Sequence, residues 1–193
     1  MAEKRAQWHE QLACHPVQRL VFVDESGANT KMTRLRGRAL GGKRLVGHIP
    51  CGNYQTSTLI SGIRWDGPCA PWLFEGPMNG EMFLAWVEQG LGPVLRVGEL
   101  VILDNLATHK IRGVREAIEA RGAGLFYLPP YSPDFNPIEP MWSKIKQVLR
   151  SHAPRSNEQL LLAARAAFQS ISSADCRGFF FSAKYATSFM EQL

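Results

Sequence analysis

Two apolar runs, Leu20–Val23 and Leu100–Leu103, each end directly on an aspartate, Asp24 and Asp104. Four large apolar residues in a row leave no solvent-facing side. Each run therefore reads as a strand buried on both faces, at the centre of a sheet covered by helices. The rest of the chain is organised around these two strands. Residues 3–14 suit a short leading helix, and RLVFVDES (19–26) is the first strand, closed by Ser26-Gly27. Residues 28–63 are expected to hold two or three further strands, the clearest at 54–63, and 70–76 a short one. Asn79 opens a helix over 82–91. After the second apolar strand (99–105), a helix is expected over 110–122, a strand over 124–129, and a helix from Pro137 to about Leu149. Two more helices follow at 157–171 and 174–190. Strands first, then alternation, then helices describe an α/β domain with a mixed sheet. The expected division is a lead-in helix or linker (1–18), a catalytic core (19–155), and C-terminal helices packed on the core (156–193).

Bulk properties narrow the function classes. A chain of 193 residues with 45% hydrophobic content builds one substantial core without staples. It carries 22 basic and 17 acidic residues, a net charge of +5. That mild excess permits nucleic acid as a partner without requiring it. Cys14, Cys51, Cys69 and Cys176 have no metal-ligand spacing, which excludes a zinc site or a disulfide framework and suits a reducing compartment. The charged N-terminus is no signal peptide, and no apolar run has membrane-spanning length. The expectation is a soluble cytoplasmic protein with no membrane partner.

Glu139 is the third carboxylate of interest, in the first turn of the helix after a proline-rich approach. If the two Asp-terminated strands are neighbours, Asp24 and Asp104 project from one edge of the sheet, and a helix crossing that edge adds Glu139. Ligands of open α/β sheets bind at such an edge. Three converging carboxylates repel one another unless cations neutralise them, and hard oxygen ligands without His or Cys select magnesium or manganese. Glu139 also has a purely structural reading. Asn136 as N-cap, Pro137 at N1 and Glu139 at N3 would make a capping box that needs no metal.

Three segments, in order, carry a family resemblance: VDESG, LDNLATHK and LPPYSPDFNPIEPMWSKIK. Together they resemble the catalytic core of DDE transposases (DDE superfamily endonucleases), specifically the bacterial insertion-sequence branch of the mariner-like superfamily. The 34 residues between Asp104 and Glu139 match the spacing typical of that superfamily. The resemblance implies a ribonuclease H-like, retroviral-integrase-like fold with a mixed five-stranded sheet flanked by helices. It also implies adjacency of the two Asp strands, and metal-dependent DNA cleavage and strand transfer that move an insertion sequence. Two divalent ions, Mg or Mn, would be shared, with Asp24 bridging both, Asp104 holding one and Glu139 the other. DNA at element ends and targets, and a second copy of the chain, are the implied partners, in the bacterial cytoplasm at the nucleoid. About nineteen residues precede the first strand, too few for the helix-turn-helix modules of full-length members. The expectation is a split-frame or truncated product, with an upstream reading frame supplying those modules. The carboxylates alone equally suit a ribonuclease H-like nuclease without strand transfer, and the fold alone a noncatalytic DNA-binding remnant.

Residues 31–44 hold six basic residues and no acidic one: Lys31, Arg34, Arg36, Arg38, Lys43 and Arg44. With Gly37, Gly41 and Gly42 they suggest a cationic hairpin on the carboxylate side that contacts phosphate backbone. Lys144 and Lys146, downstream of Glu139, are further phosphate candidates. Asn105, His109 and Asn136 are expected around the metal ligands. Glu25 should face away from Asp24 across the pleat and stays outside the metal set. Asp134 reads as turn chemistry, and Trp86, Trp142 and Phe179–Phe181 as core.

Overall fold

The strand that carries Asp24 alternates its side chains between two cores. In β1 (Leu20–Asn29), Leu20 and Phe22 enter one cluster and Val21 and Val23 the other. A strand so divided must be central. The computed structural model, which describes residues 2–12, 14–52 and 54–186, places it third in a five-stranded sheet. With β2 (Thr56–Ile63), β3 (Pro68–Glu75), β4 (Leu100–Leu103) and β5 (Gly124–Tyr127), the order is β3-β2-β1-β4-β5. β1 pairs antiparallel with β2 and parallel with β4, so the sheet is mixed.

One face is covered by α2 (Gly80–Trp86), its π-helical continuation Val87–Leu91, and α3 (Val114–Glu119). The other is covered by α4 (Ile138–His152), α5 (Asn157–Gln169) and α6 (Ser173–Ser182), with Trp8 and Leu12 of α1 (Ala2–Leu12) in the same cluster. α4 is amphipathic: Ile138, Met141, Trp142, Ile145 and Leu149 are buried on one stripe. Asn79, Ser156 and Ser172 each accept a backbone N–H at the start of α2, α5 and α6. No helix among the described residues is long and apolar enough to cross a membrane.

Several expectations are corrected. β1 does not stop at Ser26-Gly27; the β2 ladder continues to Asn29, paired with Thr56. Gly27 sits in open space within it, so backbone pairing outweighs the turn signal. Between β1 and β2 there is no cationic hairpin and no second strand among the described residues. Both edges of β1 are already taken by β2 and β4, and a run of unpaired cations gains nothing from pairing with itself. The described residues of 31–53 form an extended, largely exposed segment with one 3-10 turn, Leu40–Gly42. The helix expected over 110–122 begins only at Val114, because Gly113 takes a φ of 100° and breaks it from the 3-10 turn Ala107–Lys110. The last helix ends at Ser182, and the part of the expected 174–190 span beyond 186 lies outside the described residues.

Candidate active site

The register of the parallel pair sets the first two carboxylates side by side. Leu20 pairs with Leu100, Val21 with Val101 and Phe22 with Ile102. Two residues further along, the same register aligns Asp24 with Asp104. β4 ends at Leu103, so Asp104 lies just beyond a strand edge, while Asp24 sits within β1 rather than at its end. After β5 the chain crosses this edge. Leu128 donates its N–H to the Leu103 carbonyl (2.8 Å), and the proline-rich loop leads into α4. Glu139, in the first turn of α4, is exposed and forms no capping box. Asn136 caps instead: its Oδ1 accepts from the Ile138 N–H (3.3 Å) and its carbonyl from the Glu139 N–H (3.2 Å). The result is one cleft of about 280 Å³ whose lining includes Asp24, Asp104, Asn105, Asn136 and Glu139.

The electrostatics are those of a crowded anionic site. Burial pushes the Asp24 carboxyl up to about 7, partly opposed by its hydrogen bond with the Glu25 backbone and reinforced by Glu25, Glu139 and Asp104. Asp104 goes the other way. Burial would raise it, but His109 and the Leu106 N–H, which donates to Oδ1 at 3.1 Å, hold it below the usual carboxylate range. His109 is wholly buried, with Nδ1 2.6 Å from Asp104 Oδ1 and Nε2 2.8 Å from Glu25 Oε1. The Nδ1 contact lies off the direction in which that N–H would donate, so it acts as a charge contact more than as a hydrogen bond. Burial alone would push the imidazole down; Asp104 and Glu25 override it and lift it to about 9. A neutral ring would aim a lone pair at one of two carboxylates, so the imidazolium is the state this geometry requires. The ring is also clamped from behind: the Tyr127 hydroxyl donates to the His109 carbonyl (3.2 Å), and the Phe83 ring lies 4.3 Å from the imidazole.

Glu25 faces away from Asp24, as the pleat requires, and serves as the anchor of His109. The period-2 pattern assigns its face; only the fold reveals its partner. If Asp104 acts as a ligand in this cleft, exchanging His109 for Gln should lower the activity of the site about 10- to 100-fold, with the circular dichroism spectrum retained. A wild-type rate would make His109 a packing residue only.

The expected cationic groups are scattered. Lys144 is paired with Asp175 at 2.6 Å and, with Ser172, holds that carboxyl down to about 2. This tie between α4 and α6 is present above the ordinary carboxylate range and is lost as pH falls through about 2. Lys144 is thus engaged by Asp175 in this fold. Lys31 lies over the Tyr54 ring (4.5 Å), and Lys146 is half-buried on α4. Arg34, Arg36, Arg38, Lys43 and Arg44 are exposed. Arg34 and Arg36 line a groove of about 550 Å³ with Gln147 and Arg150 of α4. Gln147 and Arg150 stand eight and eleven positions beyond Glu139, so the groove opens roughly 12–16 Å along α4 from that carboxylate. Asp134 is no mere turn former: Arg5 of α1 grips it through two hydrogen bonds, of 3.1 and 2.6 Å.

A mixed β3-β2-β1-β4-β5 sheet with helices on both faces and carboxylates at the β1/β4 edge is the ribonuclease H-like arrangement. The model of the DDE superfamily endonucleases matches residues 19–161. The chain belongs to that family. Among solved structures it is similar to the Mos1 transposase in a paired-end complex with the left transposon end (14% identity, TM-score 0.72) and in a pre-cleavage transpososome (13%, 0.75). It is also similar to the catalytic domain of the Mos1 mariner transposase (14%, 0.70). Each alignment covers 94% of this chain; the complexes are covered to 57% and the isolated catalytic domain to 85%. The chain thus spans little more than half the length of the transposase in those complexes. No curated protein sequence matches it.

Proposed function

We propose that this chain is the catalytic domain of a transposase, cutting DNA at the ends of a mobile element and joining the freed 3′ ends to target DNA. The observation that carries the reading is the β1/β4 register, which sets Asp24 beside Asp104 in the cleft that Glu139 completes. The donor set fits magnesium or manganese: carboxylate oxygens, one of them half-buried among like charges. Among the described residues no three His, Cys, Asp or Glu side chains make a metal cage by themselves. The three carboxylates would therefore hold divalent ions only together with oxygens from water and the DNA. Asp24 would be shared, Asp104 would hold one ion and Glu139 the other. Bound there, the ions would activate the attacking oxygen and stabilise the departing one.

The chain's own residues supply the frame. β1 and β4 fix two carboxylates on rigid strands, and the Glu25–His109 pair holds Asp104 to one orientation. In the first reaction a water oxygen attacks the phosphodiester and the 3′ oxygen leaves. In the second that 3′-hydroxyl attacks a target phosphodiester, forming one P–O bond as another breaks. Neither step needs a protein nucleophile. Paired element ends require a second copy of the chain, and their recognition would come from helix-turn-helix modules outside the described fold.

Glu139→Gln tests this directly. Glu139 makes no cap contact, so the variant should fold and bind DNA as the parent does while losing Mg- or Mn-dependent nicking of element-end DNA. Nicking at the parental rate by Glu139→Gln, or none by the parent with either metal, would overturn the assignment. Nicking without joining would leave a nuclease.

The exposed arginines would carry flanking duplex. Replacing Arg34, Arg36 and Arg38 together should weaken binding alike across sequences. It should also reduce the slope of log affinity against log salt by about 0.9 for each phosphate that is no longer neutralised. Lys144→Met should leave that slope unchanged, since Asp175 already occupies it. An unaltered slope in the triple variant would make this segment a solvated or protein-binding surface.

A further inference from the structure

Part of the cleft's wall, beside the carboxylates, is apolar. Leu106, Leu128, Pro129, Pro130 and Tyr131 line it, and no lysine or arginine does. Tyr131 is 87% exposed, the most open of the large aromatic side chains among the described residues, and its backbone sits at a φ of +56°. A bulky residue avoids that left-handed region, and such a conformation persists only where surrounding contacts impose it.

Here the contacts come from α1. Arg5 Nη1 donates to the Tyr131 carbonyl (3.1 Å) and to Ser132 Oγ (2.7 Å). Its guanidinium also grips Asp134 and lies 4.3 Å over the Phe135 ring. A second strut backs the loop: Trp8 Nε1 donates to the Tyr185 hydroxyl (2.7 Å), which donates to the Phe135 carbonyl (2.7 Å). A loop gripped this thoroughly, yet holding its aromatic ring in solvent beside a catalytic cleft, is built to present that ring.

Resting on the reading of the cleft as a DNA-cutting site, we infer that the Tyr131 ring is a stacking platform for an unpaired nucleobase beside the scissile phosphate, with Arg5 as the positioning residue that presents it. The chemistry is complementary. A nucleotide offers an anionic phosphate for the carboxylate side, through cations, and a flat apolar base for the other. With no cation in the lining, the wall's affinity must come from stacking, and a ring can stack only on a base whose face is free. A base inside duplex has both faces covered; one at a frayed or flipped position does not.

The test compares binding of a blunt duplex with the same duplex ending in a few unpaired nucleotides, one of them 2-aminopurine. Calcium replaces magnesium so that the DNA is held uncut. The parent should prefer the unpaired end and quench the 2-aminopurine. Tyr131→Ala should lose about tenfold in affinity for the unpaired end, within the range of one base stacked on an aromatic ring, and keep its affinity for blunt duplex. Tyr131→Phe should behave as the parent. Arg5→Met should lose part of the preference with its circular dichroism unchanged. Unaltered binding of the unpaired end by Tyr131→Ala, or an equal loss on both DNAs, overturns the inference. Nicking by the parent in magnesium is scored separately. A nicking parent with no Tyr131 effect overturns stacking alone; a Tyr131 effect without nicking overturns the catalytic reading alone.

Discussion

Asp24→Asn is expected to abolish metal-dependent DNA cleavage and, at the same time, to stabilise the metal-free fold. The two effects share one cause. Asp24 is held in a strand by pairing on the β2 side, so its carboxylate cannot move away from Glu25, Asp104 and Glu139, which all act on it. A carboxylate confined among like charges destabilises the fold unless a cation is present. Asn has the same shape and keeps a hydrogen-bonding oxygen, but removes the charge. In catalysis the same exchange removes the ligand proposed to be shared by both ions. Losing about 4 kcal/mol of transition-state stabilisation slows a step about a thousandfold, and a shared ligand should cost at least that. The checks are a nicking assay and a thermal melt at neutral pH. In EDTA the variant should melt above the parent. Adding magnesium should raise the parent's melting temperature and leave the variant's nearly unmoved. A variant that cleaves within tenfold of the parent would remove Asp24 from the ligand set. One that melts lower in EDTA would show that the carboxylate supports the fold instead.

The parts of this site that can be read from sequence are those carried by local pattern. Leu20–Val23 and Leu100–Leu103 announce buried strands because no face of them suits water, and an aspartate after each is visible at once. Ile138, Met141, Trp142, Ile145 and Leu149 give α4 its stripe, and so orient Glu139 one residue beyond its start. What pattern does not carry is pairing at a distance. The parallel β1/β4 pairing joins residues about eighty apart in the chain, and only the family resemblance suggests it. Local signals also mislead where tertiary pairing outweighs them. Ser26-Gly27 is a turn signal overridden by the β2 ladder. The glycine-rich basic segment looks like a hairpin, but both sides of the neighbouring β1 are already paired. Asp134 looks like turn chemistry because its partner, Arg5, lies in a helix 129 residues away. Glu25 can be placed on the far face, but its bond to His109 depends on where the 3-10 turn Ala107–Lys110 folds back. Tyr131 falls in the segment that carries the family resemblance, but its exposure and left-handed backbone are properties of the folded loop.

The Arg64–Glu99 pair is the clearest case of structure invisible in sequence, and Glu99→Ala should be the most damaging substitution remote from the cleft. Arg64 follows β2 directly and Glu99 precedes β4, two strands held apart by β1. Their side chains are only 7% and 2% exposed. Arg64 Nε and Nη2 donate to Glu99 Oε1 and Oε2 at 2.6 and 2.9 Å, Nη2 also donates to the Val94 carbonyl (2.8 Å), and the Arg96 N–H donates to Glu99 Oε2 (2.8 Å). Every part of this network is satisfied, so removing the carboxylate leaves a buried guanidinium and a backbone N–H without their acceptor. Breaking one side of such a pair costs about 3–5 kcal/mol. For a domain of this size that corresponds to a fall of roughly 10 °C in melting temperature. The pair sits at the opposite end of β4 from Asp104, five residue steps and so roughly 17 Å away. Below its melting point the variant should therefore bind metal and nick DNA as the parent does. The double exchange Arg64→Met with Glu99→Leu discriminates the cause: it removes both charges, keeps apolar volume, and should recover most of the missing stability. If the double variant melts no higher than Glu99→Ala, the loss comes from the backbone hydrogen bonds of Val94 and Arg96 rather than from an unpaired buried charge.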